Sequence, residues 1–339
     1  MGFMAALQQA SVLKAIVSSR CLSDYRDLFN LRHLVCRWCS ATHTFLISCD
    51  KITVTLEDMA NQLLLPILSD TDPNDIELST EEEVMEVELK KGISGNAKLS
   101  HWVGAFSKAS TAICHAAFVT FWLSIKISAG VSLPLALMFL GHLYVQLDIL
   151  QSDERQAGSC HIVTTSAHST ILQHLLWELC ARHLAKCKSV YFAKDKYQSC
   201  SKVGLKPFGN PIVKFFDKGV GFSWRAYRYL SSGFTCADLA MDPFMATIGT
   251  TTMLTAFDGR GIIYLAATNA GWLPYLTDEG ICYVHYSANR VKRQFGLDQD
   301  IPNDFTTILE STTSVRPFLC PSAFEFWSRH FTAVIIPSS

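Results

Sequence analysis

Across residues 1–40 apolar side chains return at helical spacing, with Leu28, Leu31, Leu34 and Val35 on one face, which predicts helix. The period then shortens. Thr44-Phe-Leu-Ile-Ser48 and Lys51-Ile-Thr-Val-Thr55 are β-branched and aromatic, and Cys49-Asp50 between them reads as the turn of a hairpin. Thr55 is placed to cap a following helix, whose positive first turn receives Glu57 and Asp58. That helix runs through Met59, Leu63 and Leu64 and ends at Pro66.

Residues 69–83 are acidic and polar and read as a solvated loop leading into another helix start. Residues 84–150 give at least three helical segments. Between Ile127 and Leu147 no side chain is charged, a length that suits a bilayer. Pro134 interrupts that run, Gln146 lies inside it, and Leu135, Met138, Phe139, His142 and Leu143 follow the spacing of a buried helix, so we read it as core rather than as a membrane span. From Ile171 to Lys188 the pattern is amphipathic, with Leu172, Leu175, Leu176, Leu179 and Leu184 inward. Residues 206–221 are rich in Gly and Pro and read as loops, and 237–280 mix short apolar pieces. These elements predict a mainly α, multi-helix single domain over 1–339, with a small N-terminal β-hairpin and a few short strands.

The segment Tyr286 to Pro302 contains the densest local code. Asn289 can cap a short helix whose apolar side is Val291 and Phe295, Gly296 sits where a left-handed residue closes such a helix, and Leu297 can fold back as the matching apolar contact. Arg290, Lys292 and Arg293 then project from one turn, with Asp298 and Asp300 just beyond. These three basic residues are the candidate contacts for a partner or for phosphate; the plainer reading pairs Arg290 or Arg293 with Asp298 or Asp300.

Composition narrows the function classes. Hydrophobic residues make up 49% and charged residues 17%, which excludes a disordered chain, and a net charge of −1 gives no global attraction to nucleic acid or anionic membrane. The twelve cysteines are scattered, and Met1-Gly-Phe-Met-Ala-Ala-Leu lacks the features of a signal peptide, so reduced thiols in a cytosolic or nuclear protein are expected.

Cys36-x2-Cys39-x3-His43 and Cys180-x2-His183-x3-Cys187 have ligand-like spacing, but each supplies three zinc ligands where a structural site needs four, and both sit in leucine-rich text. No metal is therefore assigned. Ser11-Val-Leu-Lys14 has a Ser-x-x-Lys spacing without its usual companions, and there is no nucleophile elbow, phosphate loop or dinucleotide turn. His115, His142 and His174 read as core or boundary residues. No catalytic residue and no cofactor is assigned.

Trp38-Cys-Ser-Ala-Thr-His-Thr-Phe-Leu-Ile followed by Lys51 to Pro66 resembles the hairpin and helix that open the plant mobile domain. Asn289-Arg-Val-Lys-Arg-Gln-Phe-Gly-Leu-Asp-Gln-Asp-Ile-Pro302 resembles that domain's near-terminal signature, and Phe118 to Ser124 and Leu172 to Glu178 are similar to two of its internal helices. The resemblance implies a domain shared by plant transposable elements and by host proteins of the maintenance-of-meristems-like family. Those host proteins are nuclear and are tied to transposon silencing, gene expression and meristem upkeep; some act with, or are fused to, a serine/threonine protein phosphatase. The family also carries an aminotransferase-like label, for which the sequence offers no pyridoxal-lysine context. In this chain Asn289 stands for the usual His and Lys292 for the usual Ala, and the segment 127–132 skips a loop and helix that relatives carry. The chain also starts abruptly inside the first helix, which reads as an N-terminal truncation. The resemblance thus implies a non-enzymatic nuclear interaction module with nuclear protein partners and no membrane association; the alternative is a transposon-derived nucleic-acid-binding protein using the local basic patch, and the alternative compartment is the cytoplasm.

Overall fold

A computed structural model describes residues 3–19, 27–48, 50–67, 133–156, 167–179, 213–218, 266–268, 271–277 and 280–299, together with Thr80 and Trp224. The N-terminal helical text forms separate helices rather than one. Helices α1 (Phe3–Gln9) and α2 (Leu13–Ser19) meet at a corner where Ser11 takes a left-handed backbone with φ 60°. Helix α3 (Leu28–Val35) starts at Asp27, whose carboxylate accepts from the Asn30 amide and satisfies a free donor of the first turn. On the predicted apolar face Leu31 and Leu34 are buried, but Leu28 is 71% exposed. It is the first residue of α3, where helical periodicity alone does not fix burial.

The predicted hairpin is present and gains a strand. β1 (Trp38–Cys39), β2 (Thr44–Leu46) and β3 (Lys51–Ile52) form an antiparallel sheet in that order, with Trp38 opposite Phe45 and Phe45 opposite Ile52. Trp38, Phe45 and Ile52 are buried, a cross-strand row that fixes the register. Thr55 then caps α4 (Leu56–Asp58) in a reciprocal capping box: the Thr55 hydroxyl accepts from the Asp58 amide and the Asp58 carboxylate accepts from the Thr55 amide. The helix continues as a π-helical turn, Met59–Leu63, and ends where Leu64 turns left-handed. The Pro66 carbonyl accepts from the Ala136 amide at 2.9 Å and so hands the chain's first layer to the next helix.

That helix, α5 (Leu135–Gln156), is the centre of the described core. It is long and apolar enough to cross a membrane by length and composition, but Leu135, Leu140, Leu143, Tyr144 and Leu147 are buried within the protein. Its apolar face is used against β4 (Gly271–Thr277) and β5 (Gly280–Tyr286), an antiparallel hairpin with Leu273 opposite Val284 and Trp272 opposite His285. Gly141 makes this packing possible: a Cβ there lies 2.6 Å from the Pro274 carbonyl oxygen. Helix α6 (Ser169–Leu179) buries Leu172, Leu175, Leu176 and Leu179 as spaced, while Leu184 lies outside the described residues.

The loop reading of 206–221 is corrected by α7 (Val213–Lys218), whose Phe216 is buried and whose Phe216 carbonyl accepts from the Ser48 amide at 2.9 Å. Six residues anchored by one aromatic are too short to register as a period. Most described residues are helical, with two small antiparallel sheets. Apart from Thr80, the acidic loop at 69–83 lies outside the described residues, as does the part of the helical stretch expected over 84–150 that precedes residue 133, the segment 127–132 included.

Candidate functional site

The hairpin's inner end is a polar joint. His43, between β1 and β2, has φ 48°, a left-handed conformation that histidine adopts more readily than branched residues. This aims its ring at two other elements: Nδ1 lies 2.8 Å from the His285 carbonyl oxygen on β5, and Nε2 lies 3.2 Å from Asp148 Oδ2 on α5. Asp148 Oδ1 accepts from the Trp38 indole N–H at 2.7 Å, so one carboxylate receives two groups from the hairpin. The Tyr144 ring stacks on His43 with centroids 5.4 Å apart.

Below the ring, the Thr53 hydroxyl donates to the His43 carbonyl at 2.8 Å and the Tyr144 hydroxyl donates to the Val54 carbonyl at 2.8 Å. Burial pushes the Tyr144 phenol far above its ordinary range; Asp58 and Asp148 add to the shift and the Thr53 hydrogen bond opposes it. Tyr286, buried beside it, donates to the Ala267 carbonyl at 2.7 Å and is likewise pushed up, first by burial.

The near-terminal signature folds over this joint as a clasp. It forms two 3₁₀ turns, Ala288–Arg290 and Lys292–Phe295, rather than the single capped helix expected. Val291, at φ −132°, separates them, and Asn289 is buried inside the first turn instead of capping it. The predicted closure is present: Gly296 is left-handed at φ 79°, its amide donates to the Arg293 carbonyl, and the Leu297 amide donates to the Lys292 carbonyl. Gln299 holds both turns, accepting from the Lys292 amide and donating to the Asn289 carbonyl, each at 2.9 Å.

From the clasp Gln294 reaches the hairpin. Its Oε1 accepts from the Thr53 amide at 2.7 Å and its Nε2 donates to the Thr53 carbonyl at 2.9 Å. The side-chain amide therefore supplies the two bonds a neighbouring strand would, and both partners are buried.

The three candidate basic residues do not form one open patch. Arg293 is 48% exposed, but its Nε lies 3.1 Å from Asp50 Oδ2, an ion pair by distance though not aligned as a hydrogen bond, and its guanidinium lies 5.8 Å from the Trp224 ring centre. Its partner is thus the hairpin's Asp50 and not Asp298. Lys292 is half-buried. Arg290 is half-buried, and among the described residues no carboxylate pairs with it.

A small cleft lies where α4 and α6 meet the clasp, lined in part by Glu57, Asp58, Glu178, Trp224 and Gln294. Asp58 and Gln294 are committed there to the capping box and to Thr53. Of the Cys36, Cys39 and His43 set, His43 has both ring nitrogens engaged, and the Cys36 thiol lies 3.6 Å from Glu154 Oε1, its pKa raised by partial burial and then by that carboxylate. Among the described residues no group of three or more His, Cys, Asp or Glu is placed to hold a metal ion. Cys180, His183 and Cys187 lie outside the described residues.

The family model described as Plant mobile domain matches residues 13–127, about a third of the 339-residue chain. Over that stretch, which contains the hairpin and α4, the chain is similar to the plant mobile domain. The clasp lies outside the match, yet its Gln294 is bonded to Thr53 within it. No curated protein and no solved structure matches the chain.

Proposed function

We propose that the protein is a non-enzymatic interaction module of the plant mobile domain type that acts in the nucleus, in the setting of transposon silencing, gene expression and meristem maintenance. The match over residues 13–127 carries this reading. The chemistry of the joint supports it: His43, Asp148, Thr53 and Gln294 spend their polar atoms on each other and on backbone, which suits a fixed surface better than a reactive pocket. The partners are nuclear proteins, a serine/threonine protein phosphatase being the first to test, and the contact surface includes the flank of the clasp at Arg290 and Lys292.

The nucleic-acid reading draws on the same turn. Arg293 is engaged by Asp50 and Trp224, and a single turn with so few basic residues makes few phosphate contacts and binds weakly at physiological salt. Proximity labelling in plant cells with the full chain and with Arg290→Ala/Lys292→Ala tests both. Enrichment of nuclear proteins that falls in the double variant supports the interaction module; confinement to the cytoplasm without nuclear labelling ends it. Salt-sensitive DNA or RNA binding by the purified chain, lost in the same variant, favours the alternative.

A further inference from the structure

One guanidinium makes three contacts at the end of the sheet where β1 begins and β2 ends. The Arg37 backbone is fixed there by the Leu46 amide, which donates to the Arg37 carbonyl at 2.9 Å. Its Nη1 donates to the His33 carbonyl at 2.9 Å, a group in the last turn of α3 that no amide of the helix reaches. That bond is local, so the guanidinium is aimed by its own helix. Its Nη2 donates to Asp217 Oδ1 at 2.7 Å, and its face covers the Phe216 ring, with 5.0 Å from the guanidinium carbon to the ring centre. Just beyond Leu46, the Ser48 amide donates to the Phe216 carbonyl at 2.9 Å.

Helix α7 has little to hold it by itself. It is six residues long, well below the length at which an isolated helix is stable in water. The Phe216 carbonyl falls among its last four, which lack a helical donor, and Ser48 supplies the missing one. Ring, carboxylate and carbonyl thus all come from two adjacent residues, which is how a short linear sequence is recognised rather than a broad surface. Phe216 is fully buried, whereas the Asp217 side chain is 59% exposed and Ser48 is exposed, so the contact sits at the rim of the core.

We propose that Arg37 and Ser48 form a binding site for a peptide in which an aromatic residue is followed directly by Asp or Glu, and that Phe216-Asp217 of α7 occupies this site in cis. The partner is a protein segment carrying that pair. It displaces α7 by supplying the same three groups: a ring beneath the guanidinium face, a carboxylate to Arg37 Nη2 and a carbonyl to the Ser48 amide. A basic residue after the aromatic is rejected, because it meets Arg37 with like charge. These contacts carry the proposal on their own; neither the nuclear compartment nor the partners proposed above enter it.

The probe is a fluorescein-labelled peptide of the α7 sequence, residues 213–218, titrated by anisotropy against the full chain. In the natural chain α7 competes, and the apparent affinity is lowered to the fraction of molecules that α7 has left. Phe216→Ala/Asp217→Ala vacates the site and should bind the peptide about tenfold more tightly than the natural chain, or better. Adding Arg37→Ala to that variant should weaken binding by about tenfold, through loss of both the cation–π contact and the ion pair. A peptide with Lys at the position of Asp217 should bind no better than that. The site is overturned by a vacated chain that shows no saturable binding, or by binding that Arg37→Ala leaves unchanged. A dimer of the natural chain that Arg37→Ala abolishes overturns occupancy in cis and makes the occupant α7 of a second copy. If the alanine variant does not fold, Phe216→Leu/Asp217→Asn replaces it, because Leu keeps the apolar contact without ring or charge, and the same outcomes decide.

Discussion

Gly296 and Gln294 show how single residues set the clasp. Gly296 is left-handed at φ 79° and delivers the two closing bonds from residues 296 and 297, so Gly296→Ala keeps the bonds and adds steric strain. We expect a loss of about 1 kcal/mol in urea unfolding. Gln294→Ala is a larger change, because the buried Thr53 amide and carbonyl both lose their partner. Each orphaned group costs about 1–3 kcal/mol, so a loss on the order of 2–4 kcal/mol is expected by the same measurement. The closure at Gly296 and Leu297 is legible in the sequence because its bonds span only a few residues. The Asn289 cap fails because Val291 breaks the turn in two, and Arg293 meets Asp50 instead of Asp298, a pairing that no local pattern encodes.

At the scale of elements, α5 and the β4–β5 hairpin approach through Gly141, where an added Cβ meets the Pro274 carbonyl at 2.6 Å. Backbone cannot yield as a flexible side chain does, so Gly141→Ala must part the helix from the strand. The expected cost is about 1–3 kcal/mol, read as a lowered unfolding midpoint together with altered Trp272 fluorescence. The hairpin Thr44–Thr55 and the box at Thr55 are readable because β-branched runs and a cap with its third-position carboxylate are local signals. Strand β4 is not, since Pro274 interrupts Gly271–Thr277 and demotes the run as a strand. The six-residue α7 escapes for lack of length.

For the whole molecule, the joint at Tyr144 and Tyr286 governs behaviour in alkali. Both phenols are held above their ordinary range by burial, so the folded chain keeps protons that the unfolded chain releases from about pH 10 upward. Stability from this source is complete below that pH and is lost as pH rises past it. Ultraviolet absorbance should show these two tyrosines ionising together with unfolding, and Tyr144→Phe should lessen the pH dependence in that region. The likeness to the plant mobile domain is readable in the sequence over the hairpin and α4, whereas the joint itself draws on His43, Asp148, His285 and Gln294 from four distant stretches, and only the folded chain brings them into register. The bonds from Gln294 to Thr53 span 241 residues, which has a consequence for synthesis. At about 5–20 residues per second, a ribosome leaves Thr53 without that partner for roughly 10 to 50 s. Throughout that interval the Thr53 peptide group can pair only with water or with other chains, so the nascent hairpin forms before the bonds that close it are available.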